Sequence, residues 1–416
     1  MARKAGKNVK PAEAPEKVNE PAVARVVIES VSPEIDGGRF PVKRVTGELV
    51  RVEADIFADG HDELVCFLLH RREGARAWKR VPMTALGNDR WSSEFAVTRP
   101  GSCRYTVEGR IDPFRTWLRD LQKRLAAGQD LRAEFAAGAG LISEAAQRAA
   151  GADARRLKQL AQEIVSGGDQ REKAARLSDP ELAGLVSRWG DDTGLVRYGR
   201  ELEVTVDRLK ARFSAWYELF PRSTSPKPGR HGNFKDLIAR LPYIAEMGFD
   251  VLYLPPIHPV GTTSRKGRNN TLTAKPGDPG SPWAIGDRTG GHKAINPELG
   301  TLEDFKELMT AAGKHGLEVA LDIAFQCSPD HPWLKEHPEW FRHRPDGSLR
   351  CAENPPKKYE DIYPMDFACR DWKPLWEEVK SVFEFWAERG VRIFRVDNPH
   401  TKPFALWEWL IRELRR

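Results

Sequence analysis

The sequence predicts a multidomain protein in which an N-terminal β-sandwich with an inserted helical bundle precedes part of an α/β barrel. Three observations support this prediction. The first stretch alternates apolar and polar residues with the period of a strand, the second repeats its leucines at helical spacing, and the third alternates strands with helices. At roughly 100–200 residues per domain, the length of 416 residues suits about three domains.

Composition and charge exclude several classes of protein. The chain is 40% hydrophobic and 30% charged, and no run approaches the ~18 apolar residues of a membrane span. Its 66 Lys and Arg against 60 Asp and Glu are mixed along the chain rather than gathered with aromatics, so we expect no nucleic-acid partner. Five scattered cysteines without CxxC spacing predict no disulfide framework, no zinc site and a cytoplasmic location.

Residues 1–20 are charged and lack an apolar core, which predicts a disordered leader rather than a secretory signal. The sandwich is expected over residues 21–111, where Val50, Val52, Ala54 and Ile56 alternate with polar residues. Turn signals rich in Gly, Asp and Pro separate its strands at the spacing that is typical of a sandwich.

Residues 112–200 change to a helical period, as in Leu157, Leu160 and Ile164. Ser178–Glu181 has the cap, proline and glutamate of a helix start. Acidic residues recur through this Ala- and Arg-rich segment, so a solvated bundle is favoured over a nucleic-acid-binding helix. A further strand at 201–206 returns the chain to the sandwich at 201–210, which makes the bundle an insertion.

Residues 211–416 alternate strands and helices, which predicts parallel strands buried between helices. The expected strands are Phe213–Phe220, Asp250–Leu254, Leu317–Ile323 and Val391–Val396, and the expected helices are Asn233–Met247, Thr301–His315, Asp371–Arg389 and Pro403–Arg416. A closed (β/α)8 barrel of the TIM type takes about 250 residues and eight strands, with its site at the strand C-terminal ends. We therefore expect about the first half of such a barrel.

Two strand ends carry the chemistry. Arg395 and Asp397 alternate along one strand and so point to the same side, where the arginine would keep the carboxylate ionised and oriented. Such a carboxylate suits a glycosyl nucleophile, although an isolated pair of this kind is also a common structural ion pair. Asp322 closes another apolar strand and Gln326 follows it, and both would need partners such as sugar hydroxyls or a loop network.

These features resemble glycoside hydrolase family 13, the α-amylase superfamily. The motifs that carry the resemblance are Trp216–Arg222, Gly248–Ile257, Gly291–Thr301, Asp322 with Gln326, and Arg395–Asp397. A narrower set resembles the branch of that superfamily that transfers maltosyl groups from α-maltose-1-phosphate, namely His258–Gly261, Lys266–Asn270, Leu321–Trp333, Asn354–Tyr359 and Asp397–Pro403. The likeness covers nearly the whole chain after the first twenty residues.

The resemblance implies a retaining glycosyltransferase of glycogen or α-glucan biosynthesis. It would move maltosyl from α-maltose-1-phosphate to the non-reducing end of an α-1,4-glucan and release phosphate. Asp397 would be the nucleophile, Arg395 would orient it, and Asn398 would contact the donor beside it. The remaining donor contacts implied are Lys266, Gln326 and Asp361 for the maltosyl part, and Asn354, Lys357 and Tyr359 for phosphate. A homodimer is also implied.

Two departures from the amylase pattern refine these expectations. Gln326-Cys327 stands where amylases usually have the Asn-His that serves a structural calcium, so we expect no metal and no cofactor. The resemblance places an acid/base glutamate after the strand that would follow Asp397, whereas Glu408 and Glu413 lie in a predicted helix. We therefore expect the chain to be C-terminally incomplete and inactive alone. Aromatic side chains expected to pack the loops, with one or two stacking on sugar, are Trp283, Trp333, Trp340, Phe341 and Tyr363.

Two alternatives stay open. One is an amylase-like α-glucan hydrolase or transglycosidase, which would give free maltose and ignore phosphate. The other is a noncatalytic glucan-binding scaffold, in which the sandwich would hold glucan without turnover.

Overall fold

The computed structural model describes residues 24–415, so the predicted leader at 1–20 lies outside the described residues. Eighteen strands and eleven helices are formed within this range. The chain divides into two compact units at Arg212 and Phe213, and each unit has its own hydrophobic core. None of the helices within 24–415 combines the length and apolar character that crossing a bilayer requires.

The first unit contains two sheets whose facing side chains share one core. Its strands are β1 (Val26–Ser32), β2 (Val42–Val45), β3 (Leu49–Ala58), β4 (Leu64–Arg72), β5 (Lys79–Pro82), β6 (Thr84–Gly87), β7 (Arg90–Ala96), β8 (Gly101–Ile111), β9 (Val196–Arg197) and β10 (Leu202–Asp207). One sheet has the order β1-β3-β7-β6, and the other has the order β2-β10-β8-β4-β5 with β9 beside β8. Val50, Val52, Ala54 and Ile56 of β3 are fully buried, as their alternation predicts.

Five helices lie between β8 and β9 in the described chain, and they pack around a separate apolar cluster. They are α1 (Pro113–Ala126), α2 (Arg132–Arg148), α3 (Gly151–Val165), α4 (Gln170–Leu177) and α5 (Pro180–Arg188). Asp112 caps α1 by accepting from the backbone N–H groups of Phe114 and Arg115. Pro113 suits the first helical position because its missing N–H is not needed there.

The second unit is built on a parallel sheet with the order β11-β12-β13-β18. Its strands are β11 (Trp216–Glu218), β12 (Val251–Leu254), β13 (Glu318–Ile323), β14 (Gln326–Cys327), β15 (Ala352–Asn354), β16 (Lys357–Tyr359), β17 (Tyr363–Pro364) and β18 (Ile393–Val396). Its helices are α6 (Phe234–Ile238), α7 (Leu241–Glu246), α8 (Leu302–Lys314), α9 (Trp333–Glu336), α10 (Trp372–Glu388) and α11 (Phe404–Arg415). The pairs β14–β17 and β15–β16 lie in the loops after β13.

Two expected elements differ from the structure. The helix expected over Asn233–Met247 is two short helices, because Pro242 has no N–H to donate and its ring would clash inside a continuous helix. The strand expected over Phe213–Phe220 pairs only at Trp216–Glu218, which is the part that matches β12 in register. Sequence pattern alone does not show where a partner strand ends.

Parallel strands place their C-terminal ends at one edge of the sheet, and this geometry positions the candidate site. The register sets Asp322 of β13 beside Arg395 of β18. The loops that follow β12, β13 and β18 therefore meet above these two side chains.

Candidate active site

Arg395 connects two carboxylates at the ends of β13 and β18. Its Nη1 lies 2.6 Å from Asp397 Oδ1 and 3.1 Å from Asp322 Oδ2. The Asp397 side chain is 19% exposed, whereas that of Asp322 is fully buried. One arginine thus orients an accessible carboxylate and neutralises a buried one.

Asp322 is buried, and only one of its two carboxylate oxygens accepts hydrogen bonds from the described residues. Oδ2 accepts from Tyr253 Oη at 2.5 Å, Trp283 Nε1 at 3.3 Å and Arg395 Nη1. Oδ1 is buried and has no hydrogen-bond partner among the described residues. Burial raises the pKa of Asp322 to about 6, even though the tyrosine and the guanidinium act in the opposite direction.

Asn398 holds the second oxygen of Asp397. Its Nδ2 donates to Asp397 Oδ2 at 2.9 Å, so both carboxylate oxygens are engaged. Asn398 has φ +46°, in the left-handed region, while the Asp397 N–H still donates to Ile323 O at 2.9 Å. The chain therefore leaves the sheet directly after Asp397 and turns back beside it.

A cleft of about 700 Å³ opens beside this pair. Five predicted site residues lie on its wall, namely Gln326, Asn354, Tyr359, Asp361 and Asn398. Trp283, His400 and Lys402 lie there as well. Residues from the loops after β12, β13 and β18 thus line one cavity, and its size suits a small sugar ligand.

Lys266 lies near this wall but is paired within the protein. It is buried, and its Nζ lies 2.6 Å from Glu360 Oε2, which lowers the pKa of Glu360. The neighbouring Asp361 is also buried, and its Oδ1 has no hydrogen-bond partner in the described part of the chain. Burial raises the pKa of Asp361.

The three residues expected at phosphate share one hairpin. Asn354 of β15 pairs with Lys357 of β16, and Tyr359 ends that strand. Asn354 and Tyr359 line the cleft, but Lys357 is exposed and is not among the lining residues. The hairpin brings two of these side chains to the cleft and leaves the third at its rim.

The five aromatic candidates divide by burial. Trp333, Trp340 and Phe341 are buried in the core of the second unit, so they pack the loops and do not offer a ring to sugar. Tyr363 is partly buried against the same core and is not among the cleft-lining residues, whereas Trp283 lines the cleft. Its ring contacts Phe220 edge to face, with centroids 6.0 Å apart, and its Nε1 is held by Asp322.

A buried group of His292, Cys327 and His331 places three possible ligand atoms within 4.8 Å of one another. The Trp333 N–H donates to His331 Nδ1, so the His331 proton is on Nε2, which donates to His292 Nδ1 at 3.1 Å. His292 then donates from Nε2 to Ala324 O. Burial lowers the pKa of both histidines and raises that of the thiol. This chain of hydrogen bonds uses every ring nitrogen, so the group gives no reason to revise the expectation of no metal.

Sequence reasoning missed several contacts around these carboxylates, including that of Trp283, which it named only as an aromatic that packs a loop or stacks on sugar. Tyr253 and Trp283 hold Asp322, Glu360 pairs with Lys266, and Lys402 contacts the backbone beside Asp397. Tyr253 is the one residue with a hydroxyl in the buried apolar strand Val251–Leu254, and that hydroxyl near the strand end was a usable signal. Trp283 and Glu360 lie in long loops, where no periodicity indicates which residues meet.

Comparisons with known proteins match both units of the chain. Residues 24–208 match the family described as α-1,4-glucan:maltose-1-phosphate maltosyltransferase, domain N/S, and residues 218–374 match the α-amylase catalytic domain. The maltosyltransferase of Chlorobaculum tepidum is 55% identical over 391 residues, which cover 94% of this chain and 58% of that protein. The chain belongs to the α-1,4-glucan:maltose-1-phosphate maltosyltransferase family.

A second relative, the maltosyltransferase of Myxococcus xanthus, is 52% identical over 397 residues, which cover 94% of this chain and 60% of that protein. This chain thus spans about three fifths of the length of these members of the family. Among solved structures, an α-amylase from Lactobacillus plantarum is 33% identical, with a TM-score of 0.40, and the match covers 48% of this chain and 42% of the amylase.

Proposed function

We propose that this chain supplies the donor site and the nucleophile of a retaining glycosyltransferase. The enzyme would transfer maltosyl from α-maltose-1-phosphate to the non-reducing end of an α-1,4-glucan and release phosphate, as in glycogen or α-glucan biosynthesis. The observation that carries the proposal is the Asp397 carboxylate at the end of β18, with one oxygen held by Arg395 and the other by Asn398 beside an open cleft.

The proposed reaction has two displacements. In the first, an Asp397 oxygen bonds to the anomeric carbon, the bond from that carbon to the phosphate oxygen breaks, and phosphate leaves with the electron pair. In the second, the 4-hydroxyl of the acceptor attacks the anomeric carbon, gives its proton to a base, and releases the Asp397 carboxylate. Two inversions give net retention, and Arg395 orients the carboxylate throughout.

Donor recognition is proposed for the remaining cleft residues. Asp361 has a buried oxygen without a partner in the described chain, and a sugar hydroxyl would satisfy it. Gln326 and Lys266 would bind the same maltosyl group, with Lys266 exchanging its contact with Glu360 for the ligand. Asn354, Lys357 and Tyr359 would offer amide, ammonium and phenol donors to phosphate.

Several finer features belong to the same proposal. The four parallel strands would be the first half of a (β/α)8 barrel over residues 211–416. The sandwich would comprise 21–111 and 201–210, and the helical bundle at 112–200 would be its insertion. We also propose a homodimer and a cytoplasmic location, and the five cysteines, all in the described range and none in a disulfide, support the second point.

The test is to incubate the 416-residue chain with α-maltose-1-phosphate and maltohexaose, and to measure phosphate, free maltose and protein-bound maltosyl. The proposal expects release of phosphate with the maltosyl group recovered on the protein as an ester, whereas transfer to the acceptor is not expected from this chain alone because it lacks the acid/base glutamate that the family resemblance implies. Maltose from maltohexaose, independent of phosphate, would indicate a hydrolase instead. Retention of glucan without any bond cleavage would indicate a binding scaffold. An Asp371→Asn variant, at an exposed aspartate of the same unit, serves as the control.

A further inference from the structure

Lys402 places a buried ammonium against the backbone that carries the proposed nucleophile. Its side chain is 8% exposed. Its Nζ donates to the carbonyl oxygen of Asp397 at 3.4 Å and to that of Asn398 at 3.2 Å. A single cation therefore links the two residues that present the carboxylate and its amide partner.

The turn that Lys402 contacts has a backbone that needs support. Asn398 adopts φ +46°, in the left-handed region that asparagine enters more readily than most residues but still less readily than glycine, so surrounding contacts help to hold it. Thr401 Oγ1 also donates to Asn398 O, at 2.8 Å, and Trp407 Nε1 donates to Pro399 O at 2.9 Å. Lys402 is the member of this set that reaches the carbonyl of Asp397 itself.

Lys402 is also part of the cleft wall. No other lysine or arginine occurs among the cleft-lining residues in the part of the chain that the structure describes. Burial lowers the pKa of Lys402 to about 8, and the negative charge of Asp397 acts in the opposite direction. Its ammonium thus lies in the turn that follows β18, where it contacts the backbone of Asp397 rather than the carboxylate that Arg395 holds.

We infer that Lys402 is a positioning residue for the nucleophile: by binding the carbonyls of Asp397 and Asn398, it holds the Asp397 carboxylate in place beside the cleft that Asn398 and Lys402 line. The inference rests on the proposed function for its chemical consequence. Its structural consequence, an ordered turn at 397–402, holds whichever glycosyl donor the cleft takes.

The test compares the wild-type chain with Lys402→Met, which keeps the volume of the stem but cannot donate, and with Lys402→Arg, which can. The probe is 2-deoxy-2-fluoro-α-maltosyl fluoride, whose maltosyl group is trapped on the nucleophile as fluoride leaves. We expect Lys402→Met to lower the limiting labelling rate about 100-fold, as for a misaligned reacting group, and to leave the half-saturating probe concentration within about threefold. Lys402→Arg should recover most of the rate, and the exposed Lys335→Met should match wild type.

Hydrogen exchange of peptides that span 397–402 decides the inference independently of catalysis. Faster exchange in Lys402→Met, restored in Lys402→Arg, supports the positioning role. Unchanged exchange together with an unchanged labelling rate would overturn it. Failure of the wild-type chain to label would reject the proposed function, and the exchange result would then decide the inference alone.

Discussion

In the sandwich of the first unit, the buried Glu108 accepts at both carboxylate oxygens, from Arg80 at 2.6 Å and from Arg197 at 3.1 Å. The buried Arg110 likewise donates to Asp192 and to the carbonyl of Ser187. At the cleft of the second unit, Asp322 and Asp361 each keep one buried oxygen without a partner among the described residues. Both regions bury carboxylates, but of the three named here only Glu108 in the sandwich has a protein partner at both of its oxygens.

This difference distinguishes charged groups that stabilise the fold from charged groups that bind a ligand. An ionised group with complete internal partners adds order to the fold, and its loss is felt as lost stability. A buried acceptor without a partner costs stability and persists where a ligand completes it. The following predictions test whether the two regions respond in these different ways, in order of decreasing expected effect.

The largest effect is expected for the Asp397→Asn variant. Asparagine keeps the shape and can still contact Asn398, but its amide cannot form the glycosyl ester. We expect the rate of phosphate release from α-maltose-1-phosphate to fall by at least ~10⁴-fold, with the midpoint of urea unfolding almost unchanged. A variant that retains a substantial fraction of the wild-type rate would remove Asp397 from its proposed role.

Acid should destabilise the second unit more than the first. Burial lowers the pKa of His258 to about 4 and of His331 to about 3, and it lowers the pKa of His292 well below its usual value. Between pH 6.5 and these values, the unfolded chain binds protons that the folded chain excludes, so stability falls as pH falls, by roughly 2 kcal/mol per histidine at pH 5.

Asp322 changes stability with pH in the opposite direction, because its raised pKa near 6 makes the folded state take up a proton first. Hydrogen exchange at pH 7 and pH 5, read separately in peptides from 24–212 and 213–415, measures the balance. Equal loss of protection in the two units would contradict the expected order.

Arg110→Met tests the satisfied charges of the sandwich. The substitution removes a buried guanidinium from a residue that is 1% exposed. Among the described residues, it leaves the Ser187 carbonyl with only the Gly190 N–H at 3.2 Å and the Asp192 carboxylate with only Arg80 at 3.4 Å. We expect a loss of about 3 kcal/mol in the free energy of unfolding, measured with urea, and no loss of labelling at Asp397. The exposed Arg155→Met should stay within ~0.5 kcal/mol of wild type.

The smallest effect is expected for Lys357→Ala. Because Lys357 is exposed and is not among the cleft-lining residues, we expect its removal to weaken the use of α-maltose-1-phosphate only about tenfold, toward the low end for a charge-assisted hydrogen bond. α-Maltosyl fluoride, which lacks the phosphate, should be used as by wild type. Lys358→Ala on the same hairpin is the matched control, and equal losses with both donors would mean that Lys357 only supports the loop.

The sequence pattern predicted the helices and strands that depend on residues close together in the chain. The alternating residues Val50–Ile56 lie in the observed strand β3, and the helix expected over Thr301–His315 is observed at Leu302–Lys314. The same alternation placed Arg395 and Asp397 on one side of β18, and the observed 2.6 Å contact agrees. Contacts between loops, such as the ion pair of Lys266 with Glu360, follow no sequence periodicity, so only the structure identifies them.

The most direct test of the account is to identify the residue that 2-deoxy-2-fluoro-α-maltosyl fluoride labels. Wild-type chain is treated with the probe, digested, and the peptide that carries one added fluoromaltosyl group is sequenced by tandem mass spectrometry. The account predicts an ester on Asp397, prevented by Asp397→Asn and slowed when α-maltose-1-phosphate competes. Labelling of Asp322, Asp361 or any other residue, or labelling that α-maltose-1-phosphate does not slow, would contradict it.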